Sequence, residues 1–234
     1  MMAKHPVVFI FDVDNTLMDT DRVTADLHRH LEQEVGLEQQ QRYWEIFEGL
    51  RLELGYADYL GALQRYRTER LNEPHLIEVS LFMLHYHFAN RLFPNALDVV
   101  EQVQQWGPAV IVSDGDVVFQ PRKIENSGLY EAFKGNVLIY IHKEQQLADI
   151  ETRYPADHYV MFDDKLRILT AVKQVWAERL TAVFPRQGHY ALDPKVLERY
   201  PPADITVERI GDVLKYDLET LVKGGKKECV LRSA

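Results

Sequence analysis

The sequence predicts an α/β protein, with a doubly wound parallel-sheet core of Rossmann-like type and a small all-helical second domain. Three observations carry this expectation. Short apolar runs recur at residues 7–11, 109–112, 137–141, 158–162 and 180–184, which suits strands buried on both faces. From the second run onward they alternate with helix-spaced segments, as a parallel sheet covered on both faces requires. Between the first and second runs, residues 20–90 show helical spacing and no strand-like run. The expected division is therefore a core of residues 1–19 and 91–234 with a helical domain at 20–90.

Taken in order, the first run ends in Asp12-Val13-Asp14-Asn15-Thr16-Leu17. Two carboxylates one residue apart then sit at the carboxyl end of a buried strand, where open parallel sheets bind ligands. Their mutual repulsion invites a cation. The alternative is that Asp12, Asp14 and Asn15 only end the strand and cap the next helix. Four helices follow. Val23, Leu27, His28 and Leu31 mark one ending near Gly36, and Tyr43, Phe47, Leu50 and Leu54 mark another ending at Gly55. Tyr59, Leu60, Leu63, Tyr66 and Arg67 mark a third; Ile77, Leu81, Leu84 and Phe88 mark a fourth beginning after Pro74. The aromatics Tyr43, Trp44, Phe47, Tyr56, Tyr59 and Tyr66 are expected in the core of this domain. His85 and His87 are two apart, on different helix faces, and make poor joint metal ligands. Arg65, Arg67 and Arg70 read as a solvated face.

A helix over residues 96–106, with Leu97, Val100 and Val103 on one face, stops at Gly107-Pro108. The strand at 109–112 ends in Ser113-Asp114-Gly115-Asp116, and a helix over 118–126 closes at Ser127-Gly128. The next strands deliver His142-Lys143 and Asp163-Asp164-Lys165. After the fifth strand, Arg186 and His189 lie in a segment expected to be a structural loop.

With 234 residues the chain can bury a sizeable core, and 46% hydrophobic with 27% charged residues is ordinary for a globular protein. A formal net charge of −9 argues against a nucleic-acid polymer as partner. The single cysteine, Cys229, cannot form an internal disulfide and suits a reducing compartment. No apolar run approaches the roughly 20 residues of a membrane helix, and the first residues lack a secretory pattern. The expectation is a cytoplasmic protein with no membrane partner and a fraying tail at 224–234.

Strand ends in a parallel sheet share one edge, so Asp12, Asp14, Ser113, Lys143, Asp163 and Asp164 can converge. Each residue type has a use in phosphoryl transfer: a carboxylate attacks phosphorus, a second moves protons, and a hydroxyl and an ammonium hold the phosphoryl oxygens. A hard cation on oxygen ligands offsets the repulsion between carboxylate and phosphate. On these residues the chain resembles the haloacid-dehalogenase-like superfamily of hydrolases. Asp12-Val13-Asp14-Asn15-Thr16-Leu17 looks like its first motif, Ser113 its second, Lys143 its third and Asp163-Asp164 its fourth, with the helical segment where the family places a cap.

The resemblance implies a Mg²⁺-dependent phosphohydrolase acting on a small phosphorylated metabolite through an aspartyl-phosphate intermediate. Asp12 would be nucleophile and metal ligand. Asp14 would be general acid and base and bind metal through its backbone carbonyl. Thr16 and the Ser113-Asp114-Gly115 turn would bind the phosphoryl group, Lys143 would neutralise it, and Asp163 with Asp164 would serve the metal. Lys123, Lys134 and Lys165 are rivals to Lys143, with Lys123 expected on a solvated helix. The family's further acid after the fourth motif is replaced by Arg167 or Ile168, with Asp164 as a stand-in. Asn15 stands where glycine is common, and αL-permissive turns allow it. A phosphomutase, or a non-catalytic phosphate- and metal-binding module on the same fold, is the alternative. A dehalogenase would need neither Asp14 nor the Asp163-Asp164 pair.

Overall fold

The structure is a computed structural model in which residues 4–222 are described. Cys229 and the tail at 224–234 lie outside the described residues. Six strands, β1 (His5–Phe11), β2 (Ala109–Asp114), β3 (Val137–Tyr140), β4 (Ala156–Phe162), β5 (Leu180–Pro185) and β6 (Ile205–Val207), form one sheet. All pairings are parallel and the order is β3-β2-β1-β4-β5-β6. The winding reverses direction between β1 and β4, so the crevice for ligands opens above their carboxyl ends. The doubly wound parallel sheet expected from the sequence is thus present.

β1 lies between β2 and β4, with Phe11 in register with Ile111 and Phe162. Alternation along the strands separates two apolar layers. Phe9, Phe11, Ile111, Val160 and Phe162 face one layer, and Val8, Ile10, Val110, Val112 and Met161 face the other. The strands therefore read as continuous apolar runs. β6 escaped the sequence reading because Ile205-Thr206-Val207 is too short to show a period; its pairing with β5 makes it a strand.

The helices are α1 (Thr20–Val35), α2 (Leu37–Leu54), α3 (Tyr59–Glu69), α4 (Leu76–His85), α5 (Ala96–Val103), α6 (Phe119–Asn126), α7 (Leu129–Ala132), α8 (Leu147–Arg153), α9 (Leu166–Trp176), α10 (His189–Leu192), α11 (Pro194–Arg199) and α12 (Leu218–Val222). The first four follow β1 directly and contain no intervening strand. They pack on one another around Leu27, Leu31, Tyr43, Phe47, Tyr59 and Tyr66, all buried, so four of the six expected aromatics are core, while Trp44 and Tyr56 are only half-buried. The layer continues into the sheet side through Phe119 of α6, whose ring lies 5.2 Å from Tyr59 and 5.9 Å from Phe88.

One expected helix face is turned and a second differs at one residue. In α4 the buried residues are Val79 and Met83, while Ile77 is 68% exposed. Apolar residues occupy every side of this helix, so periodicity could not choose a face, and packing against α1 and α3 did. In α5, Ala96, Val99, Val100 and Val103 point inward, and Leu97 does not.

The ring of Phe11 stacks on Phe162 at 4.3 Å and meets Phe133 edge-on at 5.5 Å, with all three rings fully buried. Truncating it removes buried surface and leaves a cavity at the base of the strand that carries Asp12. Phe11→Ala is expected to lower the free energy of unfolding by about 3–5 kcal/mol, measured from urea denaturation; a change below about 1 kcal/mol would contradict this packing.

Candidate active site

The end of β1 and the end of β4 meet at the reversal of the sheet. Asp12 continues the ladder by donating its N–H to the carbonyl of Phe162 at 2.9 Å, and Asp163 follows Phe162 directly. Carboxylate oxygens of Asp12, Asp163 and Asp164 consequently lie within 4.8 Å of one another, and all three residues are buried. Asp12 Oδ2 and both oxygens of Asp164 have no hydrogen-bond partner. Lys143, the first residue of a short 3-10 turn after β3, supplies a counter-charge. Its Nζ lies 2.5 Å from Asp12 Oδ1 and 2.7 Å from Asp163 Oδ2, and its backbone N–H donates to Asp114 Oδ1 at 2.8 Å. Asp163 Oδ1 accepts from the N–H of Lys165 at 2.8 Å, which turns the chain into α9.

Two ammonium groups, Lys143 in contact and Lys165 close by, do not balance three carboxylates. Burial pushes the Asp12 carboxyl up to about 6, with Lys143 opposing and Asp163 adding to the rise. Burial likewise holds Asp164 well above the usual carboxylate range, against the pull of Lys165. For Lys143 burial favours loss of the proton, but Asp12, Asp163 and Asp114 together raise its affinity above that of an ordinary lysine. Buried oxygen donors without partners and with excess negative charge fit a hard divalent cation. Asp12, Asp163 and Asp164 are the residues that could hold one.

Asp14 lies outside that group of three and has its own partners. Lys123 Nζ and Thr20 Oγ1 both meet Asp14 Oδ1, the latter at 2.5 Å, and Gln120 Nε2 donates to Oδ2 at 3.0 Å. Burial would raise this carboxyl, but the Lys123 charge, with hydrogen bonds from Lys123 and Thr20, brings it down to about 2. The expectation that Lys123 is solvated is therefore overturned: it is buried on the inner face of α6. Phe119, Gln120, Lys123 and Ile124 form one helical stripe. The signal was present, since Lys123 is four residues beyond Phe119 and next to Ile124. Gln120 and Thr20 also escaped the sequence reading, because nothing local sets such residues apart.

The remaining expected site residues lie at the same edge. Ser113, buried at the end of β2, accepts from Gln120 Nε2 at 2.9 Å. Gly115 bonds through its N–H to the carbonyl of Tyr140 at 3.0 Å. Thr16 is fully buried, and its hydroxyl accepts from the Asp164 N–H at 3.0 Å, tying the first strand end to the fourth. Asn15 takes the left-handed conformation, φ 56°, and its side chain accepts from the N–H groups of Thr20 and Asp21 at the start of α1. Gly188 packs so closely there that a Cβ would come 2.5 Å from Asn15 Cβ. Arg186 pairs with Glu208 and His189 with Asp21, so both are engaged by the protein. Arg51 of α2 reaches Tyr190 at 2.5 Å, joining the helical segment to the rim of the sheet.

Residues 7–175 match the family model described as haloacid dehalogenase-like hydrolase. The chain belongs to this family. A protein from Burkholderia xenovorans LB400 assigned as a haloacid dehalogenase-like hydrolase is 59% identical, with a TM-score of 0.88 over 92% of this chain and 98% of that one. YfnB of Bacillus subtilis, a HAD-hydrolase by assignment and solved with magnesium, is 16% identical with a TM-score of 0.58 over 90% and 97% of the two chains. The L-2-haloacid dehalogenase of Xanthobacter autotrophicus is 17% identical with a TM-score of 0.59 over 89% and 96%. The last two share the fold. No curated protein matches the sequence.

In this hydrolase the Lys143 ammonium is the one cation that touches both Asp12 and Asp163 among the described residues. Lys143→Met is expected to destabilise the metal-free protein by about 3–5 kcal/mol, because it strands buried carboxylates. A saturating divalent cation, if held by Asp12, Asp163 and Asp164, is expected to recover part of that loss. Thermal unfolding with and without chelator measures both, and an equal loss in the two conditions would contradict the charge balance described.

Proposed function

We propose that this haloacid dehalogenase-like hydrolase is a Mg²⁺-dependent phosphomonoesterase acting on a small phosphorylated metabolite through an aspartyl-phosphate intermediate. The observation that carries the reading is the division of carboxylates: three buried together with unpartnered oxygens, and a fourth held apart by its own donors. Hydrolysis of a phosphate ester needs both arrangements.

Asp12, Asp163 and Asp164 would hold the ion, with the backbone carbonyl of Asp14 completing its protein ligands. When bound, the ion neutralises phosphoryl oxygens and favours the charged form of the carboxylates around it. The chain's own residues do the rest. Asp12 attacks phosphorus, forming an acyl–O–P bond as the bond to the ester oxygen breaks. Asp14 gives that oxygen its proton. Water then attacks phosphorus, Asp14 takes the water's proton, the Asp12–phosphorus bond breaks, and inorganic phosphate leaves. Beside Lys123 alone Asp14 is ionised, the form suited to the water step. A phosphoryl dianion arriving next to it raises its proton affinity, as the leaving-group step requires.

Ser113 and Thr16 present hydroxyls, and Lys143 an ammonium, to the phosphoryl oxygens. Helices α1–α4 act as a cap over this edge, held by contacts such as Arg51 to Tyr190, and their closure excludes bulk water. No described helix is long and apolar enough to cross a membrane. A haloacid dehalogenase would also use Asp12, but halide leaves without a proton, so Asp14 and its donors would have no task.

Phosphate release from a panel of small phosphomonoesters, with Mg²⁺ and with excess chelator, tests the reading. Wild type is expected to release phosphate only with the metal, and Asp12→Asn to lose activity by on the order of 10⁴-fold or more with an unchanged circular dichroism spectrum. Halide release from a 2-haloacid, without phosphate release from any ester, would replace this reading by the dehalogenase one.

A further inference from the structure

Resting on the phosphatase reading, we propose that Lys123 and Gln120 of α6 are positioning residues for Asp14, fixing the plane from which its carboxyl reaches the leaving oxygen. The two donors take different oxygens: Lys123 Nζ meets Oδ1 and Gln120 Nε2 meets Oδ2 at 3.0 Å. A carboxylate held at both oxygens cannot rotate about its Cβ–Cγ bond without losing a donor. Gln120 also donates to Ser113 Oγ at 2.9 Å, which anchors the amide that meets Asp14. Gly115 makes this possible. A Cβ there would come 2.8 Å from Gln120 Cβ and 2.9 Å from its Cγ, displacing the side chain that carries the amide.

Exposure shows which way the assembly faces. The Lys123 side chain is 2% exposed and that of Asp14 is 24% exposed. The ammonium lies behind the carboxylate, beside the Phe119 ring at 5.8 Å, while Asp14 turns toward open space. Stability alone does not call for this arrangement, since a buried ion pair exchanged for well-packed apolar residues is often neutral or stabilising. A lysine buried behind a reactive carboxylate has a purpose if the carboxylate must be held in one orientation. Lys123 touches Asp14 and not the reacting atoms, so its action is through Asp14.

The test separates the step that needs a proton from the step that does not. Ethyl phosphate leaves as an alkoxide and needs the proton of Asp14, whereas p-nitrophenolate departs unprotonated. Lys123→Met and Gln120→Met in the full chain with Mg²⁺ are each expected to lower kcat on ethyl phosphate by about 100-fold, the scale of a misplaced acid. The pre-steady-state release of p-nitrophenolate from p-nitrophenyl phosphate is expected to change by less than about 3-fold, with KM for both esters kept within a similar factor. Equal losses on the two esters, or no loss on either, overturn the inference. A raised KM with kcat preserved makes these residues substrate contacts and overturns it as well. If Lys123→Met fails to fold, Gln120→Met decides, because it leaves the ion pair in place. Wild type that releases phosphate from neither ester overturns the phosphatase reading itself; turnover without the difference between esters overturns only the positioning role.

Discussion

Negative charge buried at one edge of the sheet is the constraint on which the rest of the structure depends. Asp12, Asp163 and Asp164 are drawn together by the parallel ladder between β1 and β4, not by affinity for one another. Left alone they would protonate or push apart. Lys143 prevents this from one side, and unpartnered oxygens leave the other side suited to a cation. The surrounding layers supply the low polarity that makes each charge matter, because the strands carrying these residues are apolar on both faces.

Asp14 obeys a different logic although it is only two residues from Asp12. The turn through Asn15 takes the chain out of the sheet and toward α1, so the Asp14 side chain meets α6 and the start of α1 instead of β4. Lys123 and its hydrogen bonds overcome burial at Asp14, whereas at Asp12 burial outweighs the pull of Lys143, and the two carboxyls are pushed apart to about 2 and about 6. Under the proposed function such a separation would suit the two residues to unlike tasks. α6 thereby serves twice, since Phe119 on the same face joins the layer that runs from the sheet to the inserted helices.

The rim joins these parts. Gln187 donates to the carbonyls of Asn15 and Thr16 and accepts from the Ile210 N–H, so the segment after β5 holds the first motif from outside the sheet edge. Asp21, at the start of α1, binds the backbone and ring of His189, and Arg51 binds Tyr190. The inserted helices are therefore fastened to the core next to the candidate site.

By itself the sequence determined the sheet, the inserted helices and the edge at which Asp12, Asp14, Ser113, Lys143, Asp163 and Asp164 gather. Those features follow from apolar runs ending in polar residues, a pattern local to each strand, and from the rule that parallel strands present their ends on one side. The tertiary structure alone decided what lies between strands. It turned α4 onto Val79 and Met83 because apolar residues surround that helix, and it recruited Ile205–Val207 as a strand through pairing with β5. It also buried Lys123 and aimed it at Asp14, 109 residues away in the chain. A lysine on a short helix reads as solvated until a distant carboxylate is known to face it. The cost of burying the ammonium is met by the carboxylate it faces, and that pairing has no expression in the local sequence.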